Sequence, residues 1–182
     1  DAMKETSLIK NGDFSRDMEY WSFACNVAGA GGSARAAVDE GVLRIDINDS
    51  GKETYAIQLI QSPIRIEQGL RYRISFDARA SETCAIDVKI GGVETRGWKD
   101  YTNGESAGGT IVYLSQQSEN HRFEFGMQEQ TDPNARLEFQ LGAISAATIW
   151  IDNVKLEIIG KNTIKYIDPG IWSPNPNKIK IP

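Results

Sequence analysis

The stretch TIWIDNVKLEI, residues 148–158, decides the fold. Apolar and polar residues alternate on both sides of the pair Asp152-Asn153, but the two halves are out of phase. Such a phase shift is typical of a β-strand with a bulge, which turns the Asp152 carboxylate away from the core. At the other end of the chain, the stretch LIKNGDF (residues 8–14) contains a tight turn and is its predicted partner. The two ends of the domain should therefore lie side by side in a closed β-sandwich.

The rest of the chain is also patterned as strands. Between residues 42 and 158 strand-like runs recur about every ten residues, the usual spacing of sandwiches and barrels. Alternation is clearest in residues 72–80, YRISFDARA. No segment has a sustained helical period, so helical content should be minor. We predict an all-β fold over residues 1–160.

Residues 161–182 have a different composition. They contain four of the six prolines in the chain, which break any β-ladder. We therefore predict that this segment is a proline-rich linker, or an arm laid over the domain, that leads to a following module. The closing residues KIKIP are similar to the first strand of such a module.

Composition bounds the function. A chain of 182 residues is expected to form one ordinary domain with tails. The net charge of −5 comes from interspersed acidic and basic residues without a basic stripe, which argues against nucleic acid as a partner. No apolar run is long enough to span a membrane. We expect a monomer.

Metal and redox chemistry have few candidates in the sequence. The two cysteines, Cys25 and Cys84, form no CxxC motif, and His121 is the sole histidine, so a zinc site is not expected. Cys84 has the same strand parity as the buried positions that follow it and fits a small core hydrophobe. A disulfide between the two cysteines stays open.

Five motifs in one order resemble a known family. They are LIKNGDFS (8–15) with Trp21 after it, YAIQLIQ (55–61), RYRISFDARA (71–80), LEFQLGAI (137–144) and TIWIDNVKLE (148–157). Together they resemble the carbohydrate-binding modules of the family 4, 9 and 22 group, and family 4 most. The resemblance covers about residues 7–158.

The resemblance implies a jelly-roll β-sandwich of two antiparallel sheets with a sugar cleft on its concave face. It also implies no catalysis by the module itself and attachment to a secreted glycoside hydrolase, here a cellulase. The expected ligand is a β-1,4-glucan chain, soluble or in amorphous cellulose. The expected partners are the catalytic and linker modules of the same polypeptide, in the extracellular space. Xylan, mixed-linkage glucan and mannan remain open as ligands.

Binding a glucan requires flat aromatic rings for the sugar faces and amides or charged groups for the hydroxyl edges. The resemblance assigns sugar contacts to the amides Gln61 and Gln140 and stacking to Trp98. Gln58 joins them on a predicted outward polar face of the sandwich.

Other aromatic residues are weaker candidates. Tyr101 shares the loop of Trp98 and could flank the same face. Phe23 is the candidate for the second stacking aromatic of the family. Trp21 and Trp150 are expected in the core or at the sandwich edge.

The resemblance also implies a structural calcium ion. The matching positions are Asp13, Gly41 and Asp152, and backbone carbonyls could be the ligands at the first two. Calcium prefers several oxygen ligands, often carboxylates mixed with carbonyls. Such an ion would tie the chain ends together and add stability by linkage.

Three alternatives come from other function classes. Residues 104–108, GESAG, match the nucleophile elbow of esterases but lie in a loop without strand–helix units. Asp77 and Asp87 both belong to the predicted outward polar face and could form a glycosidase pair. A spacer module that contacts only neighbouring domains would have its cleft filled by side chains.

Overall fold

The protein folds as two five-stranded antiparallel sheets packed face to face. The computed structural model describes residues 6–102 and 109–162. Its strands are β1 Ser22–Ala24, β2 Ser33–Asp39, β3 Val42–Asp49, β4 Gln58–Ile66, β5 Leu70–Ala80, β6 Cys84–Gly91, β7 Thr110–Leu114, β8 Glu119–Gly126, β9 Asp132–Gln140 and β10 Thr148–Lys161. Short 3₁₀ turns cover Val27–Gly29, Thr54–Ala56 and Glu94–Arg96. Within the described ranges, no helix is long and apolar enough to cross a bilayer.

The strand order confirms the predicted sandwich jelly roll. The front sheet has the order β1-β4-β9-β6-β7, and the back sheet has the order β2-β3-β10-β5-β8. All strand pairs within both sheets are antiparallel. The outward surfaces of these sheets are called the front face and the back face below.

One core fills the space between the sheets, because each strand buries every second side chain. Tyr72, Ile74 and Phe76 of β5 are fully buried, as the alternation in that segment predicted. Phe76 meets Phe139 of β9 edge-on, with ring centroids 5.1 Å apart. This contact joins the back sheet to the front sheet through the centre of the core.

The bulge and the paired chain ends are confirmed. The register of β10 against β5 shifts between Asp152 and Lys155. Val154 N–H donates to Gly12 O at 2.9 Å, which fixes the first turn against this bulge. A Cβ atom at Gly12 would lie 2.0 Å from Val154 O, so a side chain cannot be accommodated there without movement.

Of the two tryptophans expected in the core or at the edge, one is in the core. Trp21 is buried, contacts Phe14 and donates its indole N–H to Asn11 O at 2.9 Å. The expectation for Trp150 is wrong, because it lies on β10, the central strand of the back sheet. Its side chain points outward, opposite in phase to the buried Ile149 and Ile151.

Cys25 and Cys84 are free thiols, each partly buried against the core. Strand β10 continues to Lys161, one residue past the predicted domain end. The predicted linker lies, from residue 163 onward, outside the described residues.

Candidate functional site

A row of side chains crosses the front face from strand to strand. Gln58 on β4 is directly opposite Gln140 on β9, which is opposite Asp87 on β6. Asp87 is in turn opposite Ile111 on β7, the exposed edge strand of the sheet. Directly opposed residues in a sheet share a face, and the flanking Leu59 is in the core. The row therefore lies on the front face.

A second row contains buried charges. Glu138 on β9 is opposite Lys89 on β6, and their side chains are only 4% (Lys89) and 5% (Glu138) exposed, with an N–O distance of 3.9 Å. Arg136 donates from Nη2 to Glu138 Oε1 at 2.8 Å and to Gln58 Oε1 at 3.1 Å. Lys89 also donates to the Trp98 carbonyl oxygen. These outward polar groups are held in place by one another and by the backbone at Trp98.

The Thr54–Ala56 turn closes one end of the first row. The Thr54 hydroxyl donates to Gln140 Oε1 at 3.1 Å. Gln58 Nε2 donates to the Tyr55 carbonyl oxygen at 3.0 Å, so the turn is fixed to β4 as well. Burial raises the pKa of Asp87, and a hydrogen bond from Thr54 opposes that rise. Both amides keep donor or acceptor capacity beyond these bonds.

Trp98 stands beside the other end of the polar rows. It follows the Glu94–Arg96 turn, has a positive φ of 55°, and is 43% exposed. The Arg136 guanidinium lies 5.5 Å from its ring centroid. The structure therefore brings Trp98, Gln58 and Gln140 to one surface, and their contact with sugar stays a prediction.

Gln61 does not belong to that surface. It is opposite Leu137, a fully buried core residue, so it lies on the inner side of the front sheet. Its amide accepts from Lys10 N–H and donates to Lys10 O, both at 2.8 Å. Gln61 thus supports the N-terminal segment, and both ends of its amide are engaged there.

Tyr101 and Phe23 also face inward. Tyr101 is 5% exposed and donates its hydroxyl to Asp132 Oδ2 at 2.7 Å. Burial and this hydrogen bond raise the pKa of Tyr101 to about 12. Phe23 is opposite the core residue Leu59 and packs against the core. Neither ring is placed to flank the front face.

The three positions assigned to calcium lie near the back face. Asp152 is opposite Asp77, and it lines a cavity together with Glu40 and Val42, the neighbours of Gly41 in the β2–β3 turn. Burial, and then the charges of Asp77 and Asp13, raise the pKa of Asp152, against a hydrogen bond from Asn153 N–H.

Asp13 differs from Asp152 in its surroundings. Its Oδ1 accepts from the N–H and the hydroxyl of Ser15, and these bonds lower the pKa of Asp13. Across residues 6–102 and 109–162, no group of three or more His, Cys, Asp or Glu side chains could hold a metal ion. An ion at Asp152 would need backbone carbonyl oxygens as well.

The glycosidase alternative loses its geometric basis. Asp77 lies on the back sheet and Asp87 on the front sheet, so they cannot act together on one glycosidic bond. Placing Asp77 on the same outward face as Asp87 was therefore wrong. The GESAG motif begins and ends at residues outside the described part of the chain.

Sequence reasoning missed Arg136, Lys89, Glu138 and Thr54. Lys89 and Glu138 have the strand parity of Asp87 and Gln140, so alternation within β6 and β9 could have placed them on the same face. Arg136 has that parity too, two residues before Glu138. Thr54 lies in a turn, and no periodic signal marks it.

Comparisons with known proteins agree with this architecture. The family described as a carbohydrate binding domain, covering module families 4 and 9, matches residues 6–148. A solved structure described as "CBM4 structure and function" is 25% identical, with a TM-score of 0.71 over 83% of this chain and 99% of the other. A comparison with curated protein sequences gives no match.

Two further structures share the fold at lower identity. The second N-terminal cellulose-binding domain of Cellulomonas fimi β-1,4-glucanase C is 18% identical, with a TM-score of 0.66 over 86% of this chain and 97% of that domain. TmCBM61 in complex with β-1,4-galactotriose is 14% identical, with a TM-score of 0.54 over 84% of this chain and 99% of that one. With the family match over residues 6–148, the conclusion is that this chain belongs to the carbohydrate-binding modules of families 4 and 9.

Proposed function

We propose that this module binds a β-1,4-linked glucan chain along its front face. The observation that carries the proposal is the combination of an exposed Trp98 ring with nearly buried amides and charged groups beside it. The ring offers an apolar platform for a sugar face. Gln58, Gln140 and Asp87 offer donors and acceptors for hydroxyl groups.

The module has no catalytic role in this proposal. Glu138 is engaged by Arg136 and Lys89, so it is not available as a general acid. We propose that the module is joined to a glycoside hydrolase, a cellulase, and keeps that enzyme near its polymer by raising the effective concentration. It would act as a monomer. It would act outside the cell, because a polysaccharide of this kind does not enter cells. Affinity should be on the order of micromolar to millimolar.

Calorimetric titration of the chain with hexasaccharides tests the proposal. Heat with cellohexaose and none with xylohexaose or a β-1,4-galactan oligomer would support a glucan face. Heat with xylohexaose or the galactan oligomer alone would keep the front face as the proposed binding surface and change the proposed ligand to a xylan or a galactan. No heat with any of the three would contradict sugar binding on the front face.

We also propose a structural calcium ion at Asp152. Asp152 is a partly buried carboxylate whose ionisation is disfavoured by burial and by the charges of Asp77 and Asp13. A divalent cation would relieve that cost. Its other ligands would be Asp13 and the Gly41 carbonyl, and its contribution would be stability by linkage.

Thermal melting of the wild type and of Asp152→Asn, each with calcium and with chelator, tests this site. Because the pKa of Asp152 is raised in the fold, its ionisation costs stability as pH rises through that pKa. At neutral pH in chelator, Asp152→Asn should therefore melt at or above the wild type, whereas with calcium it should melt below it. If chelator left the melting temperature of the wild type unchanged, the proposed calcium site would be contradicted.

A further inference from the structure

The back face contains a cavity of about 400 Å³ that the front-face function does not use. Such a volume falls within the usual range of small-molecule sites. Its lining includes Asp39, Arg44, Asp77, Arg79, Trp150 and Asp152. The cavity thus combines an aromatic ring with charges of both signs.

The ring and two guanidinium groups form one row across three strands. Trp150 on β10 is directly opposite Arg44 on β3 and Arg79 on β5. The Arg79 Cζ lies 3.5 Å from the ring centroid, and the Arg44 Cζ lies 5.7 Å from it. The Arg79 guanidinium is therefore stacked on the indole and held in place by it.

The two arginines differ in their other partners. Arg44 is paired with Asp46 at 3.1 Å and with Asp39 at 3.9 Å. The Arg79 side chain makes no hydrogen bond or ion pair within the described ranges; its contact there is the stack on Trp150. A guanidinium with unused N–H donors, ordered by an aromatic ring and lining a cavity, is suited to bind an oxygen-rich ligand.

The acidic residues of the cavity determine the charge of that ligand. Asp77 and Asp152 are opposite each other in the next outward row, and Asp39 and Glu40 also line the cavity. These carboxylates repel an anion, and the Arg79 guanidinium repels a cation beside the Trp150 ring, whereas the calcium ion proposed above would lie at Asp152 with Asp13 and the Gly41 carbonyl. A hydroxyl group both donates and accepts, so a neutral polyhydroxylated ring can use the guanidinium and the carboxylates together.

We propose that this cavity is a second carbohydrate-binding site, which holds one or two neutral sugar units against Arg79, Trp150 and Asp77. The site lies on the opposite face of the sandwich from the proposed glucan face and does not depend on it. A module with sugar sites on both faces could contact two polysaccharide chains, or one chain and its branch, and so gain avidity.

The experiment follows the indole N–H signals of the full chain by ¹H–¹⁵N NMR, with the Trp150 signal assigned from Trp150→Phe. The probes are four neutral disaccharides: cellobiose, xylobiose, mannobiose and β-1,4-galactobiose. Calcium is held constant, because Asp152 also lines the cavity. We expect a saturable shift of the Trp150 signal with at least one probe, in the millimolar range. The same titration should be unchanged in Trp98→Ala and at least tenfold weaker in Arg79→Gln.

Two results would overturn the inference. The Trp150 signal could show no saturable shift with any of the four probes, or it could titrate identically in Arg79→Gln. The outcome is separable from that of the front face, because Trp98 reports on one site and Trp150 on the other. A silent Trp98 with a responsive Trp150 would contradict the proposed function and support the second site.

Discussion

The front and back faces carry the same kinds of charged side chain but differ in how far those side chains are removed from water. On the front face, Lys89 and Glu138 are 4% and 5% exposed. On the back face, the Arg73–Glu124 pair is 37% exposed at both side chains, with an N–O distance of 3.0 Å. The Lys89–Glu138 pair of the front face is therefore desolvated, whereas the Arg73–Glu124 pair of the back face is solvated.

This difference in exposure has a consequence for the glucan binding that we propose at the front face. Desolvating a charge is costly, and well-packed hydrophobic residues in its place are often equally or more stable. The front face nevertheless keeps Lys89, Arg136 and Glu138, and fixes them through mutual hydrogen bonds. If the front face binds the glucan as we propose, this arrangement holds donors and acceptors in place before the sugar arrives, which lowers the ordering cost of binding.

The largest expected effect comes from removing the central front-face charge. Glu138→Gln leaves Lys89 buried without a counter-charge, and breaking one partner of a buried pair typically costs about 3–5 kcal/mol. Urea or thermal unfolding would measure the loss. In the double variant Glu138→Gln, Lys89→Met, most of the stability should return. A Glu138→Gln protein as stable as the wild type would show that these charges are solvated after all.

The next effect separates binding from stability. Trp98→Ala should weaken binding of cellohexaose about 30-fold or more, since a central aromatic platform commonly contributes about 2 kcal/mol. The melting temperature should stay close to that of the wild type, because the ring is already 43% exposed. Calorimetry checks the affinity. The matched control is Tyr20→Ala, an aromatic ring that is 47% exposed and lies outside both sheets; it should leave affinity unchanged.

Tyr101 should behave in the opposite way to Trp98, although the two residues are only three positions apart in the chain. Tyr101→Phe leaves Asp132 Oδ2 without its donor and should cost about 1–3 kcal/mol of stability. Affinity for cellohexaose should not change, and a large loss of affinity would place Tyr101 in the site.

A pH titration provides a second readout for Tyr101. Because the folded-state pKa is raised to about 12, the stability that the neutral phenol contributes is fully present below its ordinary pKa of 10.0. It is lost as pH rises from there towards about 12. The phenolate absorbance of Tyr101 should accordingly appear near pH 12, and it should be absent in Tyr101→Phe.

The sequence predicted the sandwich, the bulge and the joined ends because these features are local or rest on alternation. The same alternation separates Gln58 from Gln61, since residues an odd number apart in one strand point to opposite faces. Treating both as outward ignored that rule. Alternation within a strand could not assign Asp77 to one of the two sheets, because that assignment depends on pairing between distant strands.

Loop residues show the same limit. Trp98 and Tyr101 follow one 3₁₀ turn, and no period distinguishes the exposed ring from the buried one. What separates them is the partner Asp132, thirty-one residues further along the chain. Trp150 was misplaced for a related reason: an outward tryptophan on a central strand is covered by Arg79 of a neighbouring strand.

The smallest expected effect comes from the matched glutamate of the back face. Glu124 accepts from Arg73 and also faces Arg71 at 3.5 Å, and these guanidinium groups lower its pKa. A depressed pKa means that the pair stabilises the fold above the ordinary pKa of glutamate, and this contribution is lost as pH falls through the lowered value. Because water and salt screen an exposed pair, Glu124→Gln should melt close to the wild type at neutral pH, and added salt should reduce even that difference.

Glu124→Gln and Glu138→Gln make the same chemical change beside arginines on opposite faces. If both destabilised the protein equally, burial would not be what distinguishes the two faces, and the case for a preorganised front face would fail.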